Sequence, residues 1–442
     1  MKKILVIGAG RSAVTLIKYL LDNSIANNWQ VTVADFSIAL AEEAVSNHEN
    51  GKAIFFNVTD DKQRESEIEN ADIVISMLPA SFHITVAKDC VRLGKNLVTA
   101  SYVSPEILAL DEAAKLAGVL LLNEIGLDPG IDHMSAMQVI DDIKENGGEL
   151  TSFKSFCGGL VHPDYDNNPW HYKFTWNPRN VVLAGQGTAQ YIKQGRYKYI
   201  PYTKLFERTE TMHILDAGEF EGYPNRDSLG YRSAYGLEDI PTLFRGTLRR
   251  KGFCKSWNMF VQLGMTDDTY KVENSENLTY REFINLFFPY NIEMSVEDKF
   301  CSYLKISQDA EEFKKLEWLG VFTETNVGLK DASPAQILQK ICEEKWTLGT
   351  EDKDMIVMQH QFEYVQNGQQ QKLNSSLLVF GDDPRYTSMA KTVGLPVAIA
   401  TKLILNGEIK STGVKIPTTK DIYVPVLKEL EENGINFVEE LV

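Results

Sequence analysis

Residues 2–13, KKILVIGAGRSA, decide the fold. The apolar run ILVI reads as a strand and passes directly into Gly8-Ala9-Gly10-Arg11-Ser12-Ala13, a GxGxxA form of the dinucleotide fingerprint. Glycine at 8 permits a tight turn, glycine at 10 lets a pyrophosphate approach the backbone, and small Ala13 lets the following helix lie close to the strand. The pyrophosphate then rests on a helix N-terminus, where unpaired amides and the helix dipole favour anions. GxGxxA alone is a weak signal. It gains force because it follows a strand, opens a helix-like stretch (12–21), and is followed by Asp35 at the end of the next strand, QVTVAD. A carboxylate there accepts hydrogen bonds from the adenosine ribose hydroxyls of NAD, whereas the 2′-phosphate of NADP meets it charge to charge. At about 1.5–3 kcal/mol for a charge-assisted hydrogen bond, the expected preference for NAD is about ten- to a hundredfold. NADP is the alternative, and Arg11 inside the phosphate loop is a candidate phosphate ligand.

Outward from this stretch, KKILVIG, QVTVAD, AIFFNV, ADIVISML, NLVTAS and GVLLLNE are short, β-branched and nearly continuous. Such runs suit strands covered on both faces of a parallel sheet. Amphipathic stretches lie between several of them, one running from Pro105, placed as a first-turn proline, to Leu116. Repeated β-α units predict an α/β, Rossmann-type doubly wound parallel sheet, with ligands beyond the carboxyl ends of its strands. After Gly130 the alternation stops. Residues 151–264 are rich in aromatics, glycine, proline and arginine, with strand-like FKSFCGG and LFRGTLRRKGF; residues 278–346 read as helical, with Ser333-Pro334 a helix start. MIVMQHQFEYV and KLNSSLLVF flank NGQQQ as a β-hairpin. The segment SMAKTVGLPVAIATKLILNG reads as a buried helix interrupted by Gly394 and Pro396, and a charged helix is expected from about Val424.

At 442 residues the chain exceeds one ordinary core, so two or more domains are expected. A net charge of -16 repels phosphate backbones and anionic lipid, which argues against nucleic-acid and membrane partners. The start is too short and too glycine-punctuated for a signal peptide, and no run is expected to reach membrane-spanning length. Five cysteines without a CxxC pair, and no HExxH spacing, point to a reducing cytoplasm and to no metal site.

Residues 123–134, NEIGLDPGIDHM, follow the sixth apolar strand and so begin at a carboxyl end, where a nicotinamide ring is expected. On pattern alone Asp128-Pro129-Gly130 is a sound turn, and Asp128 or Asp132 suits capping of the helix in IDHMSAMQVIDDI. His133 among Met and Ile reads as a packed core histidine rather than an acid or base.

NEIGLDPGIDH (123–133) resembles the signature of the glutamate-forming saccharopine dehydrogenases. The resemblance continues through TASYVSP (99–105), SFCGGL (155–160), NPWHYKFTW (168–176), YPNRDS (223–228), FRGTLR (244–249), DMIVMQH (354–360) and VGLPVAIATK (393–402). It implies interconversion of saccharopine, NAD(P) and water with glutamate, 2-aminoadipate 6-semialdehyde and NAD(P)H, and a homodimer. It also implies three parts: a nucleotide domain of 1–128 joined by about 385–442, a mixed α+β substrate and dimerisation domain of 129–277 with about 347–384, and a small helical domain of about 278–346.

The same resemblance implies site residues. Gly8, Gly10, Arg11, Ser12, Ala13, Asp35, Asn57, Val58, Ser76, Leu78, Leu127, Asp128, Pro129 and Thr175 fall to the cofactor. Ser101, Tyr102, Asp128, Arg226, Arg245, Thr247, Leu248 and Arg249 fall to the substrate. Saccharopine carries three carboxylates, and guanidinium forks pair with carboxylates in bidentate geometry, so an acidic chain is expected to gather Arg226, Arg245 and Arg249 with Asp128 around it. Asp128 holds the substrate nitrogen and shuttles protons with Tyr102 assisting; Cys157 lies nearby, and Lys173 or water are the other proton carriers. Cys157 also reads as a small buried hydrophobe. Fungal biosynthetic members resemble the chain through VTVA but then place a basic residue where this chain has Asp35.

Two other readings compete. A carboxyspermidine-type amine dehydrogenase of the same superfamily shares the hydride chemistry, but a polyamine-like substrate calls for acids rather than three arginines. A catalytically silent nucleotide-binding module leaves the substrate-side motifs without a purpose.

Overall fold

The computed structural model of the chain describes residues 1–184 and 186–442. In chain order the strands are β1 (Lys2–Ile7), β2 (Trp29–Asp35), β3 (Gly51–Phe55), β4 (Ile73–Ser76), β5 (Asn96–Val98), β6 (Leu120–Leu122), β7 (Glu149–Val161), β8 (Ala189–Lys193), β9 (Arg196–Ile200), β10 (Glu210–His213), β11 (Glu219–Pro224), β12 (Thr242–Arg250), β13 (Asp354–Gln366), β14 (Gln369–Phe380), β15 (Gly413–Lys415) and β16 (Phe437–Leu441). The chain gathers into two compact units. One comprises Met1–Leu150, Tyr364–Gln371 and Leu377–Val442, the other Thr151–Glu363 and Lys372–Ser376.

The first unit holds a seven-stranded parallel sheet in the order β15-β6-β5-β4-β1-β2-β3. The six runs read from the sequence are β1 to β6. Ile4 to Ile7, Ile73 to Ser76 and Leu120 to Leu122 are buried throughout, as strands covered on both faces must be. β3 is the edge strand and none of its residues is fully buried. Strand order reverses direction between β1 and β4, which opens the crevice above their carboxyl ends to a ligand.

Helical details differ from expectation at three places. The stretch from Pro105 forms two short helices, Pro105–Leu108 and Asp111–Leu116, rather than one. Ser388–Leu405 is a single uninterrupted helix despite Pro396, and the charged helix begins at Lys420 rather than Val424. Gly394 is needed for contact rather than for a break: a Cβ there would stand 2.9 Å from the Leu16 backbone nitrogen. Ser388–Leu405 is also long and apolar enough, by length and composition, to cross a membrane, contrary to the expectation that no run reaches that length; 72% of it is buried inside the protein.

The second unit is built on a mixed sheet ordered β10-β11-β12-β7-β13-β14, with β8 joining β12 and β9. β10, β11 and β12 are antiparallel to their neighbours in turn, and β12 runs parallel to β7. The strand read from LFRGTLRRKGF stops at Arg250, because Gly252 (φ +87°) turns the chain into the helix Phe253–Leu263. β13 and β14 are joined by Asn367-Gly368, both at positive φ, the conformation a two-residue hairpin turn requires. Between residues 278 and 346 lie the helices Tyr280–Asn285, Val296–Leu304, Glu311–Leu319 and Pro334–Trp346. The first and last open with capping boxes, Thr279 with Glu282 and Ser333 with Gln336. An aromatic cluster of Trp170, Tyr172, Phe253, Trp257, Phe260 and Trp346 fills the interior, with Trp170 stacked on Phe260 at 6.0 Å.

Candidate active site

In the first unit the glycine loop leaves β1 beside β4. Gly8 has φ +106°, and a Cβ there would press 2.9 Å from the Met77 carbonyl oxygen, so only glycine fits. Gly10 is the opposite case: no atom lies within 4 Å of where its Cβ would be, which leaves the loop open to a close-fitting group. Arg11–Ala13 form a single 3₁₀ turn that leads into the helix Val14–Asp22; Arg11 is exposed and Ala13 fully buried. Asp35 braces this loop, accepting the Ala9 amide at 2.8 Å on one oxygen and the Ser37 amide at 2.7 Å on the other.

Asp35 also lines a pocket of about 330 Å³ with Phe36, Asn57, Val58, Leu78 and Phe82, among others, and none of its lining residues is a lysine or arginine. The side chain of Asn57 is held by Thr59, which donates its amide at 3.1 Å and its hydroxyl at 2.8 Å. Phe36 is 71% exposed and stands against Phe55, ring centres 5.4 Å apart. The open loop, the acid and the apolar pocket fit the diphosphate, ribose and adenine of a dinucleotide.

The loop after β6 is pinned at several points. Asn123 donates its amide to the Lys415 carbonyl on β15, and Glu124, at φ +56° and 6% exposed, donates its amide to Ser101. The Glu124 carboxylate accepts the Val103 amide at 3.0 Å on one oxygen and meets His133 Nε2 at 2.9 Å on the other. His133 is thus the buried core histidine its pattern suggested. Gly126 and Gly130 lie so close that a Cβ on Gly130 (φ +146°) would overlap the Gly126 backbone at 2.2 Å. The helix Ile131–Glu145 has Gly130 as its N-cap residue, and Asp132 accepts the Gly130 amide at 2.6 Å, serving the helix start. Leu127 and Pro129 are buried, and the Asp128-Pro129 peptide is cis. Asp128 remains half-buried, with the Tyr102 hydroxyl donating to its Oδ1 at 3.5 Å.

One residue that sequence reasoning did not single out lies beneath this loop. His83, 1% exposed in the helix Ala80–Leu93, pairs through Nδ1 with Ser76 Oγ at 2.8 Å and through Nε2 with Ser101 Oγ at 2.7 Å. Burial pushes its pKa down to about 4. A polar residue in the first turn after MLPA was the available signal.

In the second unit the β12 residues Arg245, Thr247 and Arg249 share one face by strand alternation, with buried Leu248 on the other. Register places Cys157 of β7 and Tyr223 of β11 beside Thr247. Cys157 is 8% exposed. Arg245 is buried with its guanidinium 4.2 Å from the Tyr231 ring centre. Arg249 is 4% exposed and faces the rings of Tyr172 at 4.9 Å and Phe253 at 5.3 Å. Its Nη1 donates to the Leu248 carbonyl, while its Nε has no hydrogen-bond partner among the described residues. Glu221, its cross-strand neighbour, is turned to the Cys254 amide. Arg226 is exposed on a turn at φ +46°. Thr175 is buried with its hydroxyl unpartnered among the described residues, and Lys173 is in a buried ion pair with Asp352 at 2.6 Å. The candidate residues therefore form two groups, one in each unit.

The switch-point sheet, the glycine loop and the acid ending β2 define a dinucleotide-binding protein of the Rossmann type. Residues 4–122 match the saccharopine dehydrogenase NADP binding domain, and residues 126–435 match the saccharopine dehydrogenase C-terminal domain. The chain belongs to the saccharopine dehydrogenase family. It is 35% identical over 452 residues to saccharopine dehydrogenase [NADP(+), L-glutamate-forming] of Schizosaccharomyces pombe, covering 100% of this chain and 99% of that one. It is 36% identical to the mitochondrial alpha-aminoadipic semialdehyde synthase of Rattus norvegicus, covering 99% of this chain and 47% of the relative, so it spans about half the length of that protein. The apo saccharopine dehydrogenase (L-Glu forming) of Saccharomyces cerevisiae superposes with a TM-score of 0.91 at 34% identity, each chain covered in full. A homospermidine synthase of Legionella pneumophila in complex with NAD, at 10% identity and a TM-score of 0.56 over 100% of this chain and 91% of that one, shares the fold alone.

Proposed function

We propose that the chain catalyses the reversible, nicotinamide-dependent oxidative cleavage of saccharopine to L-glutamate and 2-aminoadipate 6-semialdehyde, an oxidation at a CH–NH group in lysine metabolism. The observation that carries the substrate reading is Arg249. A cation almost wholly removed from water, with one N–H unpartnered, costs several kcal/mol unless an anion completes it. A substrate carboxylate supplies that anion, and Arg245, Arg226 and Thr247 serve the remaining carboxylates of a tricarboxylate amine.

When bound, the nicotinamide accepts hydride from the carbon beside the substrate nitrogen. Asp128 takes the ammonium proton that otherwise blocks that transfer, and Tyr102, bonded to the same carboxylate, orients it. After water adds to the resulting C=N bond, Asp128 returns a proton to the departing nitrogen. Cys157 flanks Thr247 and is a small neighbour rather than a base. Lys173, held by Asp352, is committed elsewhere. Leu127, Pro129 and Thr175 are assigned to the nicotinamide side.

Asp35 and a pocket without cations support NAD as the preferred cofactor, although the fungal relatives are named for NADP(+). The resemblance supports a homodimer and the three-part division at about 128, 278, 347 and 385; five free cysteines support a reducing compartment, the cytoplasm. Incubation with saccharopine and NAD tests the function: one glutamate released per NADH formed is expected, and NADH formation without glutamate, or neither product, rejects it.

A further inference from the structure

Ser76 ends β4 one position before the Met77 that crowds Gly8, and Ser101 follows β5 in the loop that carries Tyr102. Ser76 is fully buried, whereas Ser101 is partly exposed and the reading above gives it to the substrate. Both contact the same buried imidazole, one at each ring nitrogen. We propose that His83 is a positioning residue, anchored by Ser76, that fixes the direction of the Ser101 hydroxyl, so that Ser101 presents a donor to the substrate.

The direction follows from hydrogen-bond inventory. With its pKa near 4 the ring is neutral at ordinary pH, so it carries one N–H and one bare nitrogen. One serine must therefore accept from the ring and keep its own proton for an outward bond. The other must give its proton to the ring. A substrate whose polar groups are mostly carboxylates needs a donor, so Ser101 accepts from Nε2–H and Ser76 donates to Nδ1. A packed core histidine satisfied by chance would have the same distances but no consequence for either ligand.

This rests on the proposed function, and two near-isosteres separate the arms. An asparagine amide reaches the place of Nδ1 and a glutamine amide that of Nε2, so His83→Asn retains the Ser76 contact and His83→Gln the Ser101 contact. His83→Asn is expected to raise the saccharopine KM about three- to tenfold while leaving NADH affinity, read by fluorescence titration, within about twofold. His83→Gln, which keeps the Ser101 contact, is expected to leave both constants within about twofold. On a Ser101→Ala background His83→Asn should add nothing to the KM. In the folded wild-type protein, nitrogen-15 shifts should report the Nε2–H tautomer. Parallel changes in both constants or no change in either for His83→Asn, or the Nδ1–H tautomer, would overturn the proposal. If the wild-type chain does not turn over saccharopine, the substrate reading falls, while the tautomer still judges the direction of the hydrogen-bond chain through His83.

Discussion

The Arg249 guanidinium stands 4.9 Å from the centre of the Tyr172 ring, buried on β12 with its Nε unpartnered. Aromatic faces attract a cation but do not neutralise it. Replacing it with an apolar side chain of similar length should relieve the free protein while removing a substrate ligand. Arg249→Met is therefore expected to keep or raise Tm and to raise the saccharopine KM about a hundredfold or more. A fall of several degrees in Tm with an unchanged KM would make Arg249 a structural residue only.

Asp35 has two tasks, bracing the loop at Ala9 and facing the pocket. Asp35→Ala is expected to lower stability by about 1–2 kcal/mol and to bring kcat/KM for NAD and NADP to near parity, measured by initial rates alongside urea unfolding. An unchanged cofactor ratio would leave Asp35 with the brace alone.

Asp128 is half-buried and accepts from Tyr102, whereas its neighbours in the loop are committed to structure. Asp128→Asn is expected to reduce kcat/KM about a hundredfold with Tm unchanged, since the shape remains and the proton acceptor is lost. Full kcat and KM in this variant would remove Asp128 from the mechanism.

The buried His83 also makes stability depend on pH. Its folded pKa of about 4 lies below the ordinary value of 6.5, so between those values the unfolded chain binds more protons and the native state loses ground as pH falls. The stabilisation is fully present above about pH 6.5, and a loss on the order of 3 kcal/mol is complete near pH 4. His83→Asn should flatten this portion of a urea-unfolding profile; identical slopes in variant and wild type would contradict it.

Parts of this site were legible in the sequence because they follow from local rules. GxGxxA and Asp35 announce themselves by spacing, and the six strands by continuous apolar runs that end in polar residues. Ser388–Leu405 was misread as broken because its glycine and proline look like punctuation, while the contact that requires Gly394 involves Leu16, far away in sequence. His83 was missed for the same reason: its partners come from the ends of two different strands, and only the parallel sheet aligns them. Asp132 and Asp128 are both capping candidates on pattern, and the bond from the Gly130 amide to Asp132 depends on the turn at Gly130, which spacing does not show.

The central claim is that this family member oxidises saccharopine with a nicotinamide cofactor selected by Asp35. Initial rates of NADH and NADPH formation with saccharopine test it most directly. Turnover with both cofactors is expected, with a kcat/KM about ten- to a hundredfold higher for NAD. No turnover with either would contradict the function, and a preference for NADP would contradict the role given to Asp35.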